Sequence, residues 1–103
     1  STAGAQIMVS EYGLCTRQGT IYTLVETGWQ IGDISRVCTY SYTDGGVLRT
    51  VSAIEFSYRN IYHSIWEMGM EQEAGLATLQ AVAQNLLARL EAAPLTAIVT
   101  YHP

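Results

Sequence analysis

The residues with the clearest potential for chemistry are a histidine and a glutamate four positions apart. His63 and Glu67 lie in an aromatic segment beside Tyr62 and Trp66. On a helix this spacing places both side chains on one face, where a carboxylate orients an imidazole for acid–base work. No GxSxG elbow or other nucleophile signature accompanies them. A single histidine among aromatic residues is more often structural, and we favour that interpretation.

Two glutamates on predicted strands, Glu26 and Glu55, form a second candidate set. Either they face solvent, or together with His63 they supply the polar groups of a pocket. Sequence fixes no distance between the carboxylates, so a glycosidase-type pair has no support. The chain also lacks a calcium-loop spacing, a phosphate-binding glycine loop and a dinucleotide fingerprint. We therefore assign no catalytic residue, no metal site and no cofactor.

Cys15 and Cys38 are the two cysteines of the chain. Without a CxxC pair, and with only two histidines, their spacing does not predict a zinc site. As a disulfide they would close a loop of roughly 24 residues, worth about 3 kcal/mol in the chain-entropy model. As free thiols they would pack as small hydrophobic groups. A disulfide would indicate an exported or periplasmic protein, and free thiols a cytoplasmic one.

The aromatic residues are unusually rich in tyrosine, with seven Tyr and two Trp against one Phe. Both residue types carry an apolar body and a polar tip, which suits surfaces that are hydrated alone and dry when bound. Two of them, Tyr40 and Tyr42, share a strand face in any register. The predicted binding surface comprises Tyr22, Tyr40, Tyr42, Arg49, Tyr62 and Trp66. The alternative is that tyrosine is a common residue on half-buried sheets.

The elements that must position these residues change type along the chain. Residues 5–58 are rich in β-branched and aromatic types, which favour strands. The predicted strands are 5–12, 20–27, 34–43, 47–58 and 95–101. The segment 59–70 fits either a short helix or a strand after an Arg59-Asn60 turn, and the spacing of Ile61 and Ile65 favours the helix. The Asp44-Gly45 step predicts a type I′ hairpin that places Tyr42 opposite Val47 and Tyr40 opposite Arg49.

Residues 71–93 predict one long helix. An apolar stripe is formed by Leu76, Leu79, Ala83, Leu86 and Leu90. Pro94 ends the helix because it disfavours helical geometry at the preceding residue. A second face carries Ala74, Ala77, Ala81 and Ala88. This alanine face is either a helix–helix interface or a solvated surface built from the best helix former.

Charge and length limit the classes of function. With 103 residues the chain makes a single domain, and only 14% of its residues are charged. The net charge is −4 with no lysine and five dispersed arginines, which argues against binding nucleic acid. No apolar run is long enough to span a bilayer.

We therefore predict an α+β domain in which a mainly antiparallel sheet of four or five strands packs against the 71–93 helix, followed by a final C-terminal strand. The expected function is a small non-enzymatic binding protein of the inhibitor, immunity or assembly-component type. Its partner would be another protein, engaged through the tyrosine-rich sheet face or an edge strand. Two alternatives stay open. One is a small enzyme or carrier with an apolar pocket between helix and sheet, and the other is a structural homo-oligomer subunit.

Overall fold

The computed structural model describes residues 1–93, which form an antiparallel sheet with a helical segment before it and a helix after it. The strands are β1 (Thr23–Val25), β2 (Ile34–Asp44), β3 (Val47–Tyr58) and β4 (Ile61–Met68). They form one four-stranded sheet in the order β1-β2-β3-β4. Helix α1 (Thr2–Ile7) continues into a π-helical turn (Met8–Tyr12), and helix α2 (Gln72–Ala92) follows the sheet.

The α+β class and the antiparallel sheet are thus as predicted. The predicted strand 95–101 lies outside the described residues. No helix within residues 1–93 combines the length and the apolar character needed to cross a membrane.

Successive strand residues point to opposite sides of the sheet, and a different part of the chain packs on each side. One face, the α2 face, carries Ile54 and Phe56, both fully buried in a cluster with Leu79 and Ala83 of α2. The other, the disulfide face, carries Cys38, Ala53 and Glu55. The N-terminal segment (residues 1–16: α1, the π-helical turn and the loop with Cys15) lies against this face. Of the predicted leucine stripe, Leu79 and Ala83 are buried, whereas Leu76, Leu86 and Leu90 are half-buried.

The first turn of α2 lies close to β4. Glu71 caps the helix by accepting a hydrogen bond from the Glu73 N–H. A Cβ at Gly75 would lie 2.6 Å from Oε2 of Glu67, so a larger residue would have to displace the Glu67 carboxylate. Gly75 thus leaves room for this side chain, although glycine has an unfavourable helix propensity.

The prediction of a strand at 5–12 is wrong, since this segment is helical. Its buried residues are Ala5 and Val9, whereas Ile7, which a strand would place on the same face as both, is 44% exposed. The Ser1 side chain caps the helix by accepting a hydrogen bond from the Gly4 N–H at 3.0 Å. The strand predicted at 20–27 is present only as Thr23–Val25.

The preference for a helix at 59–70 is also wrong, and the alternative hairpin is correct. Tyr58 pairs with Ile61 across a turn in which Arg59 takes a φ of 56°. A spacing of four residues lies on one face of a helix and also on one face of a strand. Ile61 and Ile65 therefore could not distinguish the two structures, and pairing with β3 decides for the strand.

The hairpin between β2 and β3 turns one residue later than predicted. Gly45 and Gly46 occupy the turn with φ of 58° and 83°, so Asp44 pairs with Val47. Two glycines adopt positive φ without steric penalty, whereas the Cβ of Asp44 makes a positive φ less favourable at that position. Tyr42 consequently lies opposite Arg49, and Tyr40 opposite Val51. Because the register moves by an even number of residues, the predicted partition of side chains between the two faces is retained.

Cys15 and Cys38 form a disulfide, with Cα atoms 5.5 Å apart, that joins the N-terminal segment to β2. Both residues are buried, at 2% and 0% exposure. The bond restricts the unfolded chain and fixes this segment against the sheet.

We expect the double variant Cys15→Ser/Cys38→Ser to lose about 3 kcal/mol of unfolding free energy, because the unfolded chain regains the entropy of the open loop. Urea denaturation followed by circular dichroism measures the change. Wild-type protein in reductant is the matched control and should show a similar loss. Equal stability of the oxidised wild type and the serine variant would contradict a structural role for the bond.

Candidate functional site

Three tyrosines form a continuous row on the disulfide face. The ring centroids of Tyr22 and Tyr40 are 6.0 Å apart, and those of Tyr40 and Tyr42 are 5.9 Å apart. Alternation along β2 places Tyr40 and Tyr42 on the same side, and the segment before β1 brings Tyr22 beside them. All three side chains are half-buried. We call Tyr22, Tyr40 and Tyr42 the aromatic row.

Large apolar side chains are exposed on the same face. The register places Tyr40, Val51 and Met68 in one cross-strand row and Cys38, Ala53 and Trp66 in the next. The two β4 members, Trp66 and Met68, are 61% and 66% exposed. Val51 and Ala53, which lie on β3 between β2 and these two β4 residues, are buried. The disulfide face therefore has a buried centre with exposed aromatic and apolar side chains at its margins.

Arg49 lies at the hairpin end of this surface. It is opposite Tyr42 in the register, and its guanidinium Nε is 3.8 Å from Asp44 Oδ2. Both side chains are exposed, so the ion pair adds little stability and leaves the guanidinium accessible. Of the predicted binding residues, the structure therefore brings together Tyr22, Tyr40, Tyr42 and Arg49, with Trp66 further along the same face.

A carboxylate is buried at the centre of the disulfide face. Glu55 has 0% exposure. Its Oε1 accepts a hydrogen bond of 2.6 Å from the Cys15 N–H, and its Oε2 accepts one from the Tyr62 hydroxyl. A buried carboxylate is tolerated when its oxygens are hydrogen-bonded, as they are here. Both oxygens are thus engaged in holding the N-terminal segment and β4 to β3.

The loop that carries Cys15 approaches this carboxylate closely. A Cβ at Gly13 would lie 2.6 Å from the Met8 carbonyl oxygen and would also collide with the Glu55 carboxylate. The loop is fixed from its other side by Thr16, whose hydroxyl donates a 3.0 Å hydrogen bond to the Val9 carbonyl. Gly13 is needed here for space and not for an unusual backbone angle, since its φ is −74°.

Tyr62, predicted as a binding residue, is committed to this buried cluster. Burial, and then the hydrogen bond and negative charge of Glu55, raise the pKa of the Tyr62 phenol well above its usual value. The hydrogen bond with the Ser64 side chain and, less strongly, the positive charge of Arg17 oppose the shift only in part. The phenol therefore stays protonated and acts as a hydrogen-bond donor to Glu55.

The three residues predicted as pocket groups do not converge. Glu55 is buried on the disulfide face, whereas His63 lies on the α2 face with its ring stacked on Phe56 at 5.6 Å. Glu26 is exposed and lines a cleft of about 520 Å³ beside β1, together with Trp29 and Arg36. In the part of the chain that the structure describes, no cluster of three or more His, Cys, Asp or Glu side chains is placed to hold a metal ion.

The predicted alanine face of α2 is exposed. It comprises Ala74, Ala77, Ala81 and Ala88. Gly13 and Met68 were not predicted as site residues. The glycine carries no sequence signal for its contact with Glu55, because residues 42 positions apart meet only in the folded chain. Met68 would have been found only with the correct strand assignment of 61–68.

The role of the buried carboxylate is tested by substituting Glu55. We expect Glu55→Ala to lower the unfolding free energy by about 3 kcal/mol or more. The substitution leaves the Cys15 N–H and the Tyr62 hydroxyl without acceptors and opens a cavity. Glu55→Gln keeps one acceptor oxygen and should lose only about 1 kcal/mol. Urea denaturation gives both values. The exposed Glu26→Ala is the matched control, expected within about 0.5 kcal/mol of wild type; equal effects at positions 26 and 55 would contradict the assignment.

The raised pKa of Tyr62 predicts loss of stability at alkaline pH. Since the folded state holds the phenol proton more tightly than the unfolded chain, this stabilisation is complete below about pH 10 and declines as the pH rises further. We expect the unfolding free energy of wild type to fall more steeply above pH 10 than that of Tyr62→Phe. Denaturation curves between about pH 8 and 11 measure the two slopes. Parallel slopes would show that Tyr62 titrates alike in both states.

Comparison of the chain with protein-family models, with curated proteins and with solved structures finds no match. No residue is therefore assigned a role by analogy with another protein. The functional argument rests on the exposure, charge and geometry of the residues described above.

Proposed function

We propose that the chain is a small non-enzymatic binding domain, of the inhibitor, immunity or assembly-component type, that docks a protein partner on the aromatic row. The observation that carries the proposal is the contiguous packing of the Tyr22, Tyr40 and Tyr42 rings, at centroid distances of 6.0 and 5.9 Å, on a half-buried surface. Rigid tyrosine rings lose little conformational entropy on binding and supply both apolar area and hydroxyl groups.

The surroundings of the aromatic row support a protein partner. Arg49 is exposed at one end of the row, and arginine together with tyrosine is enriched among interface residues that dominate binding energy. Tyr40 and Tyr42 lie on β2, which the disulfide joins to the N-terminal segment that Glu55 also holds, so their rings are pre-positioned. A pre-organised surface binds with a smaller entropy penalty than a flexible one. The buried disulfide further favours an oxidising compartment for the encounter.

A second candidate function is a small-ligand site in the cleft beside β1. This cleft of about 520 Å³ combines an indole (Trp29), a carboxylate (Glu26) and a guanidinium (Arg36), a composition that suits a small polar molecule with an aromatic group. It differs in place from the pocket predicted between helix and sheet, a region in which Ile54, Phe56, Leu79 and Ala83 pack together. Quenching of tryptophan fluorescence in Trp66→Phe, where Trp29 remains, would identify such a ligand.

The protein-binding proposal is tested by photo-crosslinking in cells of the source organism. A benzophenone amino acid replaces Tyr42 in one variant and Leu48 in the other. Both positions are on the same hairpin, but Leu48 points to the α2 face and is 71% exposed. We expect a specific protein adduct from position 42 and none from position 48.

The adduct partner, once identified, is then measured against Tyr40→Ala/Tyr42→Ala. We expect this variant to bind at least about tenfold more weakly with an unchanged circular dichroism spectrum. Leu48→Ala is the matched control and should bind as wild type does. Equal cross-linking at the two positions, or full affinity of the double-alanine variant, would assign the partner to another surface.

A further inference from the structure

β1 is too short to cover the outer edge of β2. It ends at Val25, which pairs with Val37, whereas β2 begins at Ile34. The segment that follows β1 departs from this pairing and lines the cleft of about 520 Å³ together with Ser35, Arg36 and Val37. The start of β2 therefore presents a free strand edge to the cleft.

The register identifies the backbone groups at this free edge. Asp44 and Val47 flank the turn of Gly45 and Gly46, so they form the hydrogen-bonded pair that closes the hairpin. Hydrogen-bonded positions alternate along an antiparallel pair, so even-numbered residues of β2 bond to β3 and odd-numbered residues point away from it. The N–H and C=O of Ser35 consequently point outwards, to the side of the sheet on which the cleft lies.

Ser35 and Arg36 together supply hydrogen-bond donors at the cleft. The Ser35 carbonyl accepts a 2.8 Å hydrogen bond from Nη1 of Arg36, which holds the guanidinium beside this residue. The Ser35 N–H has no backbone partner within residues 1–93. The one ion pair within those residues joins Arg49 to Asp44, and Glu55, opposite Arg36 on β3, has both carboxylate oxygens engaged elsewhere. A backbone N–H and a guanidinium thus lie side by side, and neither is paired with a carboxylate of the described chain.

We propose that the cleft binds the carboxylate of a small aromatic molecule, which accepts hydrogen bonds from the Ser35 N–H and the Arg36 guanidinium while its ring packs on Trp29. The inference rests on the ligand site proposed above as the second candidate function, and it does not depend on the aromatic row. A guanidinium and a backbone N–H both form charge-assisted hydrogen bonds to a carboxylate. Trp29 is half-buried and packs against the core cluster, which holds its indole in place for the ring.

Glu26 restricts the ligand further. It lines the same cleft, is exposed and has no ion-pair partner in the part of the chain that the structure describes. Its negative charge disfavours a ligand that is anionic overall. A ligand with an ammonium group as well as a carboxylate complements both Glu26 and Arg36. The ligand class is therefore an aromatic amino acid, either free or at the C-terminal end of a short peptide.

NMR titration with three probes that share a phenyl ring tests this assignment. Hydrocinnamate carries the carboxylate alone, phenethylamine carries the ammonium alone, and free phenylalanine carries both. At millimolar concentrations and constant ionic strength, we expect hydrocinnamate and phenylalanine to shift the Ser35 amide and Trp29 indole N–H resonances saturably. Phenethylamine should bind at least about tenfold more weakly than hydrocinnamate, because it offers no acceptor to Ser35 and Arg36. Phenylalanine should bind most tightly of the three.

Substitution separates the roles of the two charged side chains. We expect Arg36→Gln to weaken hydrocinnamate binding at least about tenfold. Glu26→Gln should leave hydrocinnamate bound and remove the advantage of phenylalanine over it. Arg89→Gln is the matched control, since Arg89 is exposed on α2 and does not line the cleft, and it should bind all three probes as wild type does. The dispersion of the amide spectrum checks that each variant is folded.

The possible failures are distinguishable. If none of the probes shifts the resonances of the cleft, both this inference and the ligand site itself are wrong. If phenethylamine binds there as well as hydrocinnamate does, the cleft is a ligand site but the assignment of a carboxylate is overturned. Equal binding of hydrocinnamate by Arg36→Gln and Arg89→Gln would overturn it too. If Arg36→Gln does not fold, the comparison of the three probes on the wild-type protein decides alone.

Discussion

The structure depends on one buried carboxylate. Glu55 points from the centre of the sheet into the layer formed by the N-terminal segment, and its two oxygens accept hydrogen bonds from the backbone of Cys15 and the hydroxyl of Tyr62. Desolvating a carboxylate is unfavourable unless such donors are in place. The loop at 13–15 and β4 must therefore both be positioned before Glu55 can be buried. The disulfide to Cys38 fixes the same loop covalently. Gly13 leaves the space that this contact needs.

This constraint also determines which surfaces stay available. The N-terminal segment covers the centre of the disulfide face, where Ala53 and Glu55 are fully buried. The aromatic row lies on one side of that cover, and Trp66 and Met68 lie on the other, towards the outer edge of β4. The other face of the sheet packs on Leu79 and Ala83 of α2. The aromatic row is therefore on a part of the sheet that neither helical layer covers.

Much of the fold could be predicted from the sequence, because local patterns coincide with the global structure over 34–58 and 72–92. The β-branched runs and glycine turn specify the central hairpin, and even a turn displaced by one residue kept every side chain on its predicted face. The failures have a common cause. Residues 5–12 and 59–70 have patterns compatible with either structure, and long-range contacts decide between them. The same holds for the site: Tyr40 and Tyr42 share a face by local alternation alone, whereas the Glu55 cluster joins residues 40 positions apart and has no local signature.

Native-state hydrogen exchange at the Cys15 amide tests the central role of Glu55 most directly. If the folded sheet requires the buried Glu55 carboxylate, the Cys15 N–H that this carboxylate holds should exchange only through global unfolding. Its protection should then equal that of the amides at the centre of β3. Exchange of the Cys15 amide that is orders of magnitude faster than that of β3 would contradict the account. It would show that the N-terminal segment opens independently of the sheet.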